Sequence, residues 1–97
     1  MPRSRTITGY TDPETVPGQP RTTFVNFKVD AISALVVFPF AKYDENGSNP
    51  VTHYCVFGAA QGSKLRGWVE ASGLVLAEFE TDAEADSYVE TDPDGIL

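Results

Sequence analysis

A cluster of turn-forming residues near the middle of the chain places the strongest constraint on its fold. Residues 44–50 combine aspartate, asparagine, glycine, serine and proline, each of which favours turns for its own conformational reason. Segments rich in β-branched and aromatic residues flank the cluster on both sides. The pattern predicts a β-hairpin whose second strand covers residues 51–57.

Two further β patterns precede this hairpin. Val25, Phe27 and Val29 alternate with polar residues, which is typical of a strand with one solvated face. A turn or short helix is expected near residues 31–34. Residues 35–38 are apolar on both faces, which predicts a central strand.

Pro39 lacks a backbone N–H, so it predicts a bulge or a locally unpaired edge.

Residues 58–73 fit two alternatives. One is a helix that Ser63 would cap, and the other is a strand, a turn at 71–73 and a second strand; we favour the second alternative.

A strand followed by a capped helix is predicted at the C-terminal end. Residues 74–80 alternate, so one face is expected to carry Val75, Ala77 and Phe79, and the other Glu78 and Glu80. Thr81 and Glu84 match the capping-box pattern, which starts a helix. Its apolar stripe is Ala85, Tyr88 and Val89, and residues 92–95 end it.

The predicted fold is therefore a small α+β domain. It has a mostly antiparallel sheet of four or five strands, one short C-terminal helix packed on the sheet, and an extended N-terminal arm. Residues 1–22 are rich in proline and glycine and form the arm, in which only 5–10 suit a short strand. Residues 23–91 form the β-rich domain, which we expect to fold without residues 1–20, and 92–97 form an acidic tail.

The charge is divided unevenly along the sequence. Residues 1–66 have a net charge of +2, whereas residues 67–97 contain nine acids and no base. An anionic surface of this kind repels nucleic acid and attracts basic proteins. The same acids would also increase solubility, and both interpretations of the charge are open at this point.

Motifs that carry chemistry are sparse. His53 and Cys55 lie two apart on a predicted strand and so share a face, but structural zinc requires about four ligands and this chain has one His and one Cys. No serine lies in a Gly-x-Ser-x-Gly motif. We predict no catalytic, cofactor-binding or metal-binding residues, and a protein that is not an enzyme.

The leading functional hypothesis is a non-enzymatic protein-interaction or structural component of a larger assembly, such as a phage-virion decoration or connector subunit. The alternative is an acidic inhibitor that blocks a nucleic-acid-binding surface of its partner. The expected partners are another protein or neighbouring subunits, with a homo-oligomer left open, and neither nucleic acid directly nor a membrane. The candidate partner-binding residues are Ile7, Tyr10, Val16, Glu78, Glu80, Asp82, Glu84, Asp86 and Glu90.

The N-terminal residues lack the apolar run of a secretory signal, and Cys55 is the only cysteine. These features predict a cytoplasmic protein, with assembly into a virion as an open alternative.

Overall fold

Five antiparallel strands and one C-terminal helix make up the part of the chain that the structure describes. The structure is a computed structural model that describes residues 5–21, 23–60 and 73–97. The elements are β1 (Thr6–Tyr10), β2 (Phe24–Lys28), a 3-10 turn (Val29–Ala31), β3 (Ile32–Lys42), β4 (Val51–Ala60), β5 (Gly73–Phe79) and α1 (Asp82–Thr91). The α+β class is confirmed, but these strands form two sheets instead of the predicted single sheet. The favoured turn at 71–73 lies largely outside the described residues.

The predicted hairpin joins β3 and β4 and is confirmed. The Asp44 carboxylate accepts hydrogen bonds from the backbone N–H groups of Asn46 and Ser48 at 2.9 Å each, and from the Asn49 side-chain amide at 2.7 Å. The Ser48 bond, followed by the Asn49 bond, holds the pKa of Asp44 below its ordinary value. One short side chain therefore organises the whole connection.

The prediction of a central strand at residues 35–38 is wrong, because the sheet order is β3-β4-β5 and β3 is an edge strand. β3 has apolar residues on both faces because both faces are buried. Leu35 faces α1, Phe40 lies on the opposite face, and each is 9% exposed. Pro39 causes no bulge, since the register with β4 is continuous from Ala34 to Lys42. A proline is tolerated at such an edge, where its missing N–H breaks no ladder bond.

A bulge in β5 overturns part of the predicted alternation. Val75 pairs with Phe57 and Ala77 pairs with Val56, so Leu76 has no partner in β4. Cross-strand partners share a face, and the extra residue therefore places Val75 and Ala77 on opposite faces. Leu74 takes the place predicted for Val75 in the core beneath α1.

The helix begins where the capping box predicts. The Thr81 hydroxyl oxygen accepts a hydrogen bond from the Glu84 backbone N–H at 3.2 Å, and the hydroxyl donates to the Glu84 carboxylate at 2.9 Å. Ala85 is fully buried, and Tyr88 and Val89 pack beside it against the sheet. The helix ends at Asp92, which adopts a left-handed conformation.

Replacing Thr81 by alanine should lower the free energy of unfolding by about 1 kcal/mol, because the N-cap hydroxyl bond to a backbone N–H is lost. Urea denaturation followed by circular dichroism measures this change. The control is Ala83→Ser, because Ala83 is exposed, lies two residues after Thr81 and takes no part in the cap. Equal midpoints for Thr81→Ala and the wild type would contradict the role of the cap.

The first two strands form a ribbon that packs on the second sheet. β1 and β2 pair antiparallel, with Ile7 opposite Phe27 and Gly9 opposite Val25. These four residues form the half-buried inner face, while the residues between them are exposed. A Cβ on Gly9 would lie 2.6 Å from Leu74 Cδ1, so the close approach of β1 to β5 requires a small residue there.

The segment after β1, which belongs to the predicted arm, contacts the chain's own sheet around residues 13–15 and again at Arg21. The Tyr43 backbone N–H donates to the Thr15 carbonyl at 2.7 Å, and the Glu14 backbone N–H donates to the Glu78 carboxylate at 3.1 Å. Pro13 is buried. The extended arm is thus not confirmed, because β1 and the segment after it are both packed against the rest of the fold.

The predicted acidic tail also folds back. Ile96 is 3% exposed and belongs to the core cluster that contains Ala85. The Asp92 carboxylate accepts the backbone N–H groups of Ile96 and Leu97, at 2.8 Å each. No helix among the described residues has the length and apolar character needed to cross a bilayer.

Candidate interaction surfaces

Five of the predicted partner-binding acids lie together at the helix. We define the acidic surface as Glu80, Asp82, Glu84, Asp86 and Glu90, all of which are exposed. Asp82, Asp86 and Glu90 follow one another at intervals of four residues and therefore form a single stripe on α1. None of the five forms a salt bridge with any base in the described parts of the chain.

Glu78, the sixth predicted acid, lies on the other side of the sheet. Its neighbour Phe79 contacts Tyr88 of α1, with ring centroids 5.6 Å apart, so alternation turns Glu78 away from the helix. The Glu78 carboxylate is 3.6 Å from Arg21 and 3.8 Å from Lys42, and three quarters of its side chain is covered. It therefore has a structural role in this fold and does not extend the acidic surface.

An ionic cluster fastens the segment after β1 to the sheet. It consists of Glu14, Arg21, Lys42 and Glu78. The Lys42 ammonium donates to the Glu14 carbonyl at 2.7 Å and to the Glu14 carboxylate at 3.1 Å. Arg21 also donates to the Asp12 carbonyl, and its guanidinium lies 4.0 Å above the Tyr10 ring. Both bases and both acids are partly covered, which makes these contacts stronger than fully exposed pairs.

The three predicted contact residues of the arm do not form a common surface. Ile7 packs against the chain's own core. Tyr10 is 36% exposed on the outer face of the ribbon, beneath Arg21. Val16 is half-buried and lines a shallow groove shared with Gly47 of the hairpin turn. Only Tyr10 keeps much of its side chain accessible to another molecule.

Phe24, which is not among the predicted partner-binding residues, is the most exposed aromatic residue in the described chain, at 59%. It pairs with Tyr10 on the outer face of the ribbon. Strand alternation predicts this exposure, because an inward Val25 turns its neighbour Phe24 toward solvent.

The Cys55 thiol is held in a fully buried, unreactive environment. It donates to the Phe38 carbonyl at 3.5 Å. Burial, together with the negative charge of Glu78, raises the pKa of Cys55 to about 12. His53 shares the face of Cys55, as predicted from their spacing, and its ring contacts Phe40 with centroids 6.1 Å apart. The raised pKa disfavours the thiolate, which is the form of cysteine that acts as a nucleophile or metal ligand.

A cleft of about 270 Å³ lies between β1, β5 and the folded-back tail. Ile7, Leu74 and Ile96 contribute to its apolar lining. Tyr88 and Asp94 lie at its rim, where the Tyr88 hydroxyl donates to the Asp94 carboxylate at 2.7 Å. Burial, followed by this hydrogen bond, raises the pKa of Tyr88, so its hydroxyl stays protonated. The polar groups at the rim therefore hold the tail in place.

The described residues contain no group of three or more His, Cys, Asp or Glu side chains that could hold a metal ion. The exposed features are the acidic surface and the outer face of the ribbon. No protein-family model, curated protein or solved structure matches this chain, so its function is inferred from these surfaces alone.

Proposed function

We propose that this protein is a non-enzymatic interaction or structural component of a larger assembly, such as a phage-virion decoration or connector subunit. The observation that supports this function is the acidic surface, which presents five carboxylates without a basic partner in the described chain. A basic protein surface is the partner that such a field attracts.

The helix that carries these acids is anchored firmly enough to act as a binding surface. Its buried side is fixed by Ala85, and the Thr81 cap fixes its first turn. The stripe of Asp82, Asp86 and Glu90 therefore has a defined geometry. Binding on a rigid element costs less conformational entropy than binding on a flexible segment.

The alternative is an acidic inhibitor of a nucleic-acid-binding protein, which the regular stripe on α1 favours. The helical acids Asp82, Glu84, Asp86 and Glu90 extend over about 13 Å at 1.5 Å rise per residue. Their density is about one charge per 3.4 Å, which matches one DNA strand but is half the density of the duplex. Mimicry of duplex DNA would therefore need two copies.

The test reverses Asp82, Asp86 and Glu90 to lysine together. We expect weaker partner binding, a slower association rate and loss of its salt dependence, because steering between exposed charges is screened beyond about 8 Å at physiological ionic strength. The fold should persist, since all three side chains are exposed. The binding partner is first isolated by affinity capture from the native host and identified by mass spectrometry, and its binding is then measured by surface plasmon resonance.

The matched control reverses Asp12, Asp30 and Glu45 to lysine, which are exposed acids outside the acidic surface. Both triple variants change the net charge equally, so only a local effect distinguishes them. Unchanged affinity and salt dependence in the α1 variant would reduce the acidic surface to a solubility feature. Competition of the captured partner's binding by duplex DNA would favour the inhibitor.

A further inference from the structure

The free edge of β2 has a more regular backbone than the other sheet edges in the described chain. The edge of β3 contains Pro39 and an irregularity at Ile32, and β5 contains a bulge. These are the devices that native sheets use to block edge pairing. In β1, Gly9 is packed closely against Leu74 of β5. β2 contains no proline, glycine or bulge.

One backbone hydrogen bond shows which backbone groups of β2 point outward. The Val29 N–H donates to the Arg5 carbonyl at 3.0 Å, so this pair belongs to the ladder with β1. Antiparallel pairs alternate between bonded and non-bonded, so Val25 and Phe27 also bond to β1. Phe24 and Asn26 therefore direct their N–H and C=O groups to the free edge, and Lys28 directs its N–H there. The Lys28 C=O lies at the start of the 3-10 turn, whose i→i+3 bonding engages it.

A side-chain contact agrees with this assignment. Side chains approach more closely in non-bonded antiparallel pairs. Thr8 and Asn26 are such a pair, and the Thr8 hydroxyl donates to the Asn26 side-chain oxygen at 2.6 Å.

We propose that β2 pairs antiparallel with β2 of a second copy of this chain, about a twofold axis at Asn26. The two ribbons then form one continuous four-stranded sheet. The ribbon has only two strands, and a sheet of this size gains stability from further strands. This pairing goes beyond the proposed function and does not depend on what the acidic surface binds.

The sequence of β2 is complementary to itself in this register. Phe24 lies opposite Lys28 of the second copy, and Asn26 lies opposite its own equivalent. Like charges do not meet, because each Lys28 faces an aromatic ring that can cover its aliphatic stem and attract its ammonium. On the inner face, Val25 lies opposite Phe27 of the second copy. The Asn26 pair gives two backbone bonds and each of the two Phe24–Lys28 pairs gives one, from the Lys28 N–H to the Phe24 C=O, so about four new hydrogen bonds form.

The first test replaces Asn26 by proline, which removes the N–H at the twofold axis. That N–H takes no part in the β1 ladder, so the ribbon keeps its internal bonds. Thr8→Pro is the matched control, because the equivalent N–H of Thr8 points to the free edge of β1. By sedimentation equilibrium we expect a dimeric wild type, a dissociation constant raised at least about 100-fold by Asn26→Pro, and little change with Thr8→Pro.

The second test is a crosslink. Bonded antiparallel pairs have Cα atoms about 5.5 Å apart, within the range of a disulfide. Oxidised Asn26→Cys should therefore run as a covalent dimer on a non-reducing gel, while Thr8→Cys should stay monomeric. The buried native Cys55 contributes little background.

A wild type that stays monomeric at about 1 mM would overturn the proposal. So would a dimer that survives Asn26→Pro, or one that Thr8→Pro disrupts instead, which would place the interface on β1. The α1 triple reversal should leave the dimer mass unchanged. Loss of the dimer in that variant would assign self-association to the acidic surface and overturn pairing through β2.

Discussion

Removing residues 1–20 should destabilise the protein by about 4 kcal/mol or more, a large part of the 5–15 kcal/mol typical of a small domain. The deletion removes β1 and its ladder with β2, and it exposes the inner sides of Val25 and Phe27. A fully buried apolar side chain contributes about 1.5–3 kcal/mol, and each ladder bond a net of about 1 kcal/mol. Loss of Glu14 also leaves Lys42 and Glu78 without one of their partners.

Thermal and urea unfolding, followed by circular dichroism, measure this effect. If the shortened protein does not accumulate, Ile7→Ala probes the same contact and should cost about 2 kcal/mol, while the exposed Thr6→Ala on the same strand should cost little. Cooperative unfolding of the shortened protein at the wild-type midpoint would contradict the structure and restore the expectation, drawn from the sequence, of a dispensable arm.

Replacing Gly73 by alanine should be among the most damaging single changes in the chain, with a loss of about 4 kcal/mol or more. Gly73 has a φ of +153°, and a Cβ there would lie 1.8 Å from the Gly58 carbonyl oxygen. That oxygen belongs to the central strand β4, so it cannot move away without disturbing the pairing of β4 with β5. The collision is therefore with backbone, which has no alternative rotamer.

Gly47→Ala is the matched control for this prediction. Gly47 also has a positive φ, +74°, but a Cβ there would meet no atom within 4 Å. The only cost of Gly47→Ala is therefore that of placing an alanine at a positive φ, about 1–2 kcal/mol. Comparison of the two urea midpoints separates the collision from the backbone preference. Similar midpoints for the two variants would show that the sheet yields at Gly73.

The candidate surfaces were only partly predictable, because charge alone does not distinguish a free acid from a paired one. The helix acids have no base within their own element, so their exposure followed from amphipathicity. Glu78 belongs to the same acidic stretch of sequence, yet Arg21 and Lys42 reach it from distant parts of the chain. Phe24 directly precedes the alternation of Val25, Phe27 and Val29, and extending that alternation by one residue predicts its exposure.

The sequence by itself determined the elements that are specified by neighbouring residues. The Asp44 turn and the Thr81 cap are both closed by hydrogen bonds between residues at most five positions apart, so their residue types were sufficient. Tertiary structure decided the rest: the edge position of β3, the bulge at Leu76, and the packing of β1 on β5. These features depend on which distant segments meet, and apolar residues on both faces of a strand show only that both faces are covered. The burial of Ile96 in a tail that looked merely acidic has the same cause, since the core that receives it is built from the whole chain.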